Sequence, residues 1–145
     1  MPVSSDPDPL ADLREVAGSG FPAEHLHFVN AVIAPDRRSA LTLFILNPRS
    51  PDPYPMMGTC DYDEGAWHEI QSTELTSESG YHWDVFRKAW VSFAAGPAAR
   101  HDRAPVIDFG DGTCTARVRD GWYLAAHWWP ASRRSEPPMP GLTSR

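Results

Sequence analysis

The chain has 145 residues, 41% hydrophobic and 22% charged, a balance that suits one globular domain able to bury a core without disulfides or metals. Its net charge of −6 and pI near 5.4 count against the basic surface that nucleic acid requires and against anionic membranes. No apolar run is long enough to span a bilayer, and MPVSSDPDPL lacks the basic-then-apolar order of a signal peptide, so the expected location is the cytoplasm.

In chain order, residues 1–7 read as a disordered N-terminus. DPLADLREVAGSG then predicts a short helix over about residues 9–17, with Asp8 as cap, Pro9 in the first turn and Leu10, Leu13 and Val16 on one face. HLHFVNAVIA and ALTLFIL predict two strands joined as a hairpin by PDRRS. NPRSPDPYPMM holds four prolines in eleven residues and reads as a rigid surface connection outside any central sheet, because proline has no amide to donate. TCDYD and AWHEIQST flank a Glu64–Gly65 turn. YHWDVFRKAWVSFAA predicts one long strand, bent or bulged in the middle, with Trp83, Val85, Val91 and Phe93 on one face and Phe86 and Trp90 on the other. VIDF, TCTARVR and WYLAAHWW follow, and the proline-rich tail from 131 to 145 reads as disordered. Seven or eight strands behind one leading helix predict a mainly β protein. The expected architecture is an immunoglobulin-like antiparallel β-sandwich over residues 8–130.

Asp120-Gly121 is a strong two-residue hairpin signal, since both positions tolerate positive φ. Such a turn sets Arg119 against Trp122, Val118 against Tyr123 and, further along, Cys114 against His127. The alternation of TCTARVR then assigns Cys114, Ala116, Val118, Tyr123, Ala125, His127 and Trp129 to the interior. Trp122, Trp128, Arg117 and Arg119 go to the outer face. The spacing of Cys60 and Cys114 suits an inter-sheet disulfide, but Gly112 stands where a tyrosine would accompany one, and both cysteines read as reduced and buried.

The last strand, DG-aromatic-aromatic-LA-x-x-W-W, is similar to that of a family of small immunoglobulin-like β-sandwich proteins from high-GC bacteria. Asp36 to Leu43 and the Gly65 to Glu69 segment share this resemblance, which spans roughly residues 26 to 130. It implies a fold, and it carries no established activity and no catalytic residues across.

Several groups are candidates for chemistry. His25 and His27 project from one strand face and offer two ligands of a metal site that lacks a visible third. Asp61 and His68 meet across the Glu64–Gly65 turn, within a cluster that includes Asp63 and Glu69, and suit acid–base work or a solvated hairpin tip. Asp108 to Gly112 resembles half a calcium loop, though a capped glycine turn explains it more simply. His127, buried near Tyr123 and Cys114, is a core histidine or half of a Cys–His pair. No phosphate-cradling loop, nucleophile elbow or CxxC occurs, so no cofactor is expected.

Six tryptophans exceed what one small core absorbs. The expectation is therefore a non-catalytic protein that binds a protein partner, or itself as a homodimer, through Trp122, Trp128, Arg117 and Arg119. The alternative is a small enzyme or small-molecule binder of specialised metabolism. It would have an aromatic pocket at one end of the sandwich and His127, Tyr123, Asp61 or His68 as acid or base. Carbohydrate binding on an exposed tryptophan platform is the third reading.

Overall fold

The computed structural model describes residues 10–85 and 87–143. It is mainly β, with antiparallel sheets of four, four and three strands and one short α-helix. No helix among the described residues is long and apolar enough to cross a membrane. Asp8, Pro9, the N-terminal segment and Phe86, all assigned roles or states from sequence, lie outside the described residues.

The first sheet is a meander of β1 (Leu26–Ile33), β2 (Ser39–Leu46), β3 (Tyr54–Asp63) and β4 (Ala66–Glu74). The β1–β2 hairpin pairs as its sequence predicts. The β3–β4 turn places Glu64 and Gly65 at φ 53° and 81°, the paired positive values that a tight two-residue hairpin uses. The PYPMM segment departs from expectation: it begins β3, an interior strand, with Pro55 opposite Ile45. Pro55 sits at the strand's start, and its carbonyl accepts from the Leu75 amide, so the missing N–H removes no bond from the strand's middle.

β2 is buried on both faces, because the sheet is covered on both sides. On one side lies α1 (Ala11–Val16), whose Leu13 is fully buried against Phe28, Phe44, Met56 and Cys60. That burial is worth about 1.5–3 kcal/mol. Glu69 on β4 anchors the helix exit by accepting from the Gly18 amide at 2.6 Å.

On the other side lies the second sheet, in the order β5 (Ser79–Asp84), β6 (Ala89–Pro97), β10 (Trp122–Trp128) and β9 (Arg117–Arg119). The single long strand expected from residue 81 onward is two strands. Asp84 closes β5 by accepting from the Arg87 amide, and Lys88 turns the chain at φ 55°. Trp83 and Trp90 thus become cross-strand neighbours, 5.1 Å apart edge to face. Val91 and Phe93 belong to one face, and Trp90 to the other.

The third sheet, β11 (Gly141–Leu142), β7 (Val106–Asp108) and β8 (Thr113–Thr115), covers the far face of the second. TCTARVR is therefore not one strand. Arg119 pairs with Trp122, Val118 with Tyr123 and Arg117 with Leu124, as predicted, but at Ala116 the chain leaves for the third sheet. The expected Cys114–His127 pairing does not form, and Cys114 is exposed. The tail expected to be disordered instead packs back. Arg133 stacks over Trp129 at 4.6 Å, Tyr81 donates to Glu136, and Leu142 pairs with Ile107.

The face assignment changes with this layering. Leu124, fully buried, packs with Val29, Leu41, Leu43 and Met57 between the first two sheets, and Trp122 and Trp128 are half-buried beside it. Tyr123, Ala125 and Trp129 pack with Ile107 and Phe109 between the second sheet and the third. The side predicted to be solvent-facing is the sandwich interior.

Candidate functional site

Two sheets packed face to face leave two long edges. On one, β1 packs against β10. On the other, β4 and β5 are edge strands that do not pair with each other, and a cleft of about 290 Å³ opens between the two inner faces. Leu41, Met57 and Leu75 line it from the first sheet, and Phe93 from the second. Gly80 lies directly opposite Phe93, and a Cβ there would meet the ring at 3.2 Å, so the glycine leaves the ring its room.

A polar pair spans the mouth. Gln71 opposes Thr59, which opposes Leu41, so all three share the inner face. His82 opposes Val91 and projects from the inner face of β5. The Gln71 side-chain amide lies 2.6 Å from His82 Nε2 and 3.4 Å from Nδ1. Burial pushes the His82 pKa below its ordinary value, only partly offset by Asp84, so the ring is neutral near pH 7. Among the described lining residues, Glu74 is the one carboxylate and there is no lysine or arginine. Hydroxyls of Ser77, Ser79, Thr59 and Thr73 complete the rim.

Gln71 reaches this face through a β-bulge. Between Cys60 and Thr59, one step on β3 corresponds to two on β4, from Glu69 to Gln71. The extra residue, Ile70, is exposed, and beyond it the parity of β4 inverts. Trp67 and Glu69 therefore serve the helix side while Gln71 and Thr73 serve the cleft. Gln71 does not stand out as a site residue from sequence, because no local signal marks a bulge in AWHEIQST, and His82 shows there only as a histidine near Asp84 with no nucleophile partner.

The residues nominated from sequence are scattered. Trp122 and Trp128 are half-buried, Arg119 is half-buried and Arg117 is exposed. Tyr123 is fully buried; its hydroxyl donates to Glu78 Oε2 at 2.5 Å, and its pKa is raised by burial and by that bond. His127 Nε2 lies 3.0 Å from Asp111 Oδ2 without hydrogen-bond geometry, and its ring stacks on Phe109. Asp61 and His68 are register partners, as predicted, but they do not act together. Asp61 is buried, with its carboxyl pushed up by burial against the pull of Arg87, while the exposed His68 ring turns to the Asp63 carbonyl at 3.3 Å.

His25 falls in a 3₁₀ turn before β1, off the strand face of His27, so the two do not form the expected ligand pair. Among the described residues no group of three or more His, Cys, Asp or Glu is placed to hold a metal ion. His27 instead contacts Asp120 at 3.1 Å and, with Arg119, lines a larger, more open hollow of about 530 Å³ beside α1. Its charges are mixed, Arg14 and Arg119 against Glu15 and Asp120, and Arg14 already lies over Phe28.

Comparison of the chain with protein-family models, with curated proteins and with solved structures returned no match.

Proposed function

We propose that the protein is a small-molecule-binding β-sandwich that holds its ligand in the cleft between β4 and β5. The observation that carries this reading is an inter-sheet slot with an apolar lining and one polar pair at its mouth, the arrangement by which binding sites combine desolvation with orientation. It is the second of the readings expected from sequence, with the polar couple at Gln71 and His82 rather than at His127 or Asp61. Self-association through a Trp/Arg face and sugar binding on a tryptophan platform both need exposed tryptophan, and Trp122 and Trp128 are half-buried. Catalysis is no part of the proposal. A cytoplasmic site of action is carried forward with it. So is the likeness to the immunoglobulin-like family, supported at the level of fold by two four-stranded antiparallel sheets packed face to face.

The test is a titration with 8-anilinonaphthalene-1-sulfonate, a general probe of apolar clefts. Saturable 1:1 fluorescence enhancement is expected, and it should be abolished by Thr73→Trp, which fills the slot from an exposed edge position. Enhancement that survives Thr73→Trp, or no enhancement in the unmodified protein, overturns the reading.

A further inference from the structure

Near its C-terminus the chain reads S-E-P-P-M-P-G, Ser135 to Gly141. Proline fixes its own φ near −65° and keeps the residue before it extended, so Glu136 through Pro140 are confined to polyproline-type backbone by local sterics alone. That helix has three residues per turn, and positions three apart share a face. Pro137 and Pro140 are buried, while Pro138 and Met139 between them are exposed. The run therefore meets the domain along one edge of a three-residue turn.

The surface it meets is aromatic. Tyr81 and Trp83 alternate with the inward Gly80 and His82, and Trp83 pairs with Trp90, so these three rings share the outer face of the second sheet. They stand edge to face around Trp90, which is 5.3 Å from Tyr81 and 5.1 Å from Trp83. Trp129 lies beside them, its amide donating to the Trp90 carbonyl. The tail crosses this surface in order. Arg133 lies over Trp129 at 4.6 Å, the Trp90 indole donates to the Arg134 carbonyl at 3.4 Å, and the Tyr81 hydroxyl donates to Glu136 Oε2 at 2.7 Å. Ring-borne donors flanking an extended, proline-rich chain are how aromatic grooves bind such segments, because a preformed polyproline helix loses little entropy on docking.

The attachment is light. From Arg134 to Pro140 no main-chain hydrogen bond ties the segment to the sheets among the described residues, and both ring-borne bonds are exposed to solvent. A segment held in this way opens locally at low free energy. It stays docked because a tail tethered at Pro130 meets its groove at an effective concentration on the order of millimolar. The tail of a second copy, chemically identical, has no advantage over the resident one. A segment from another protein that fits better does.

We propose that the outer face of β5 and β6 is a docking groove for a proline-rich segment of a partner protein, and that residues 133–140 of this chain are the built-in competitor that keeps it closed. The partner's segment carries what the tail carries: two prolines three positions apart, an acceptor for Tyr81 just before the first of them, and an arginine three residues before that acceptor to lie over Trp129. This surface is separate from the cleft, and neither reading rests on the other.

The probe is a synthetic peptide of residues 131–140, ASRRSEPPMP, which omits β11 and has no tryptophan. It is titrated into three full-length chains and followed by intrinsic tryptophan fluorescence. The chains are the unmodified protein, Glu136→Ala, which removes the acceptor of Tyr81 at an exposed position, and Pro137→Gly/Pro140→Gly, which removes the contact edge of the tail. The expected result is saturable 1:1 binding that tightens in that order, by about tenfold or more from the first chain to the last, as the tethered competitor is weakened. A peptide with glycine at both proline positions should not bind. Equal affinity for the three chains overturns the competitor, equal affinity for the two peptides overturns proline recognition, and no binding to any chain overturns the proposal outright. A dimer of the unmodified chain in native mass spectrometry that the peptide dissolves overturns it in favour of tail exchange between copies. If the double variant loses its far-UV circular dichroism, Glu136→Ala against the unmodified chain decides: a gain of about threefold supports the proposal and equal affinity overturns it.

Discussion

Replacing Tyr123 by phenylalanine removes one oxygen atom from the interface between the second and third sheets, and the structure sets its cost. Tyr123 is fully buried, its hydroxyl donates to Glu78 Oε2 at 2.5 Å, Arg100 pairs with the other carboxylate oxygen, and the His101 ring stands edge-on at 5.3 Å. Gly96 faces Tyr123 across the sheet, and a Cβ there would come within 3.0 Å of both Tyr123 and Glu78, so the backbone is shaped around this bond. A hydrogen bond to a charged acceptor contributes about 1.5–3 kcal/mol. The Glu78 side chain is 35% exposed, and water solvates what the phenol leaves, so the low end applies: about 1.5 kcal/mol. For a chain of this size that is a fall in Tm of roughly 3–6 °C.

The same bond carries a pH signature. The Tyr123 hydroxyl, then the Arg100 guanidinium, hold the Glu78 carboxyl below its ordinary value of 4.5. A carboxylate with a depressed folded pKa contributes stability that is present above the unfolded value and is lost as pH falls through the folded one. The stability gap between the unmodified protein and the Tyr123→Phe variant should therefore be full at pH 6–7 and shrink as pH falls below about 4. Urea denaturation followed by tryptophan fluorescence across that range measures it. A gap that is absent at neutral pH, or that keeps its size in acid, refutes the assigned bond.

Two further outcomes follow from the layering. Cys60 is buried, and burial together with Glu69 pushes its thiol up to about 12, whereas Cys114 is exposed; a maleimide or disulfide reagent at pH 8 should label one thiol of the native protein and two in denaturant, and rapid native labelling of both contradicts the burial. Trp122→Ala should destabilise by about 2 kcal/mol, part of the 3–5 kcal/mol typical of a buried aromatic, because the ring is half-buried against Leu124 and its neighbours; a loss under about 0.5 kcal/mol by chemical denaturation restores it to the solvent-facing role expected from sequence.

What was legible in the sequence was local. Glu64-Gly65 and Asp120-Gly121 announce tight hairpins because few other residues accept two successive positive φ values, and both turns and their flanking registers are present. The leading hairpin and the single helix were legible from periodicity. What was not legible depends on partners distant in sequence. Nothing in TCTARVR marks Ala116 as the point where one sheet ends and another begins. DVFRKA carries no glycine or proline to punctuate its turn. The proline-rich tail has few apolar residues, yet it finds order by lying on Trp129, Tyr81 and Gly110, surfaces assembled from elsewhere in the chain.

The functional consequence comes from the layers. Alternation identifies a solvent face only when a sheet has one, and here both large sheets are covered on both sides, by α1 and by the third sheet. That is why aromatic residues occur on both faces of β10 and why their abundance does not signal an exposed platform. Packing therefore claims the faces, and space for a ligand survives where the layers run out. On the β1–β10 side the two sheets approach each other. On the β4–β5 side they do not pair, and the extra residue Ile70 turns Gln71 toward the gap that an uninterrupted strand would have turned toward the helix. A bulge weakens an edge strand, so its presence at the one residue that bridges to His82 ties the irregularity to the cleft rather than to stability. Deleting Ile70 joins Glu69 directly to Gln71, so the strand becomes regular with Gln71 still opposite Thr59; saturable 1:1 binding of 8-anilinonaphthalene-1-sulfonate should survive in that variant, and its loss with far-UV circular dichroism unchanged would show that the cleft depends on the local twist of the bulge and not on register alone.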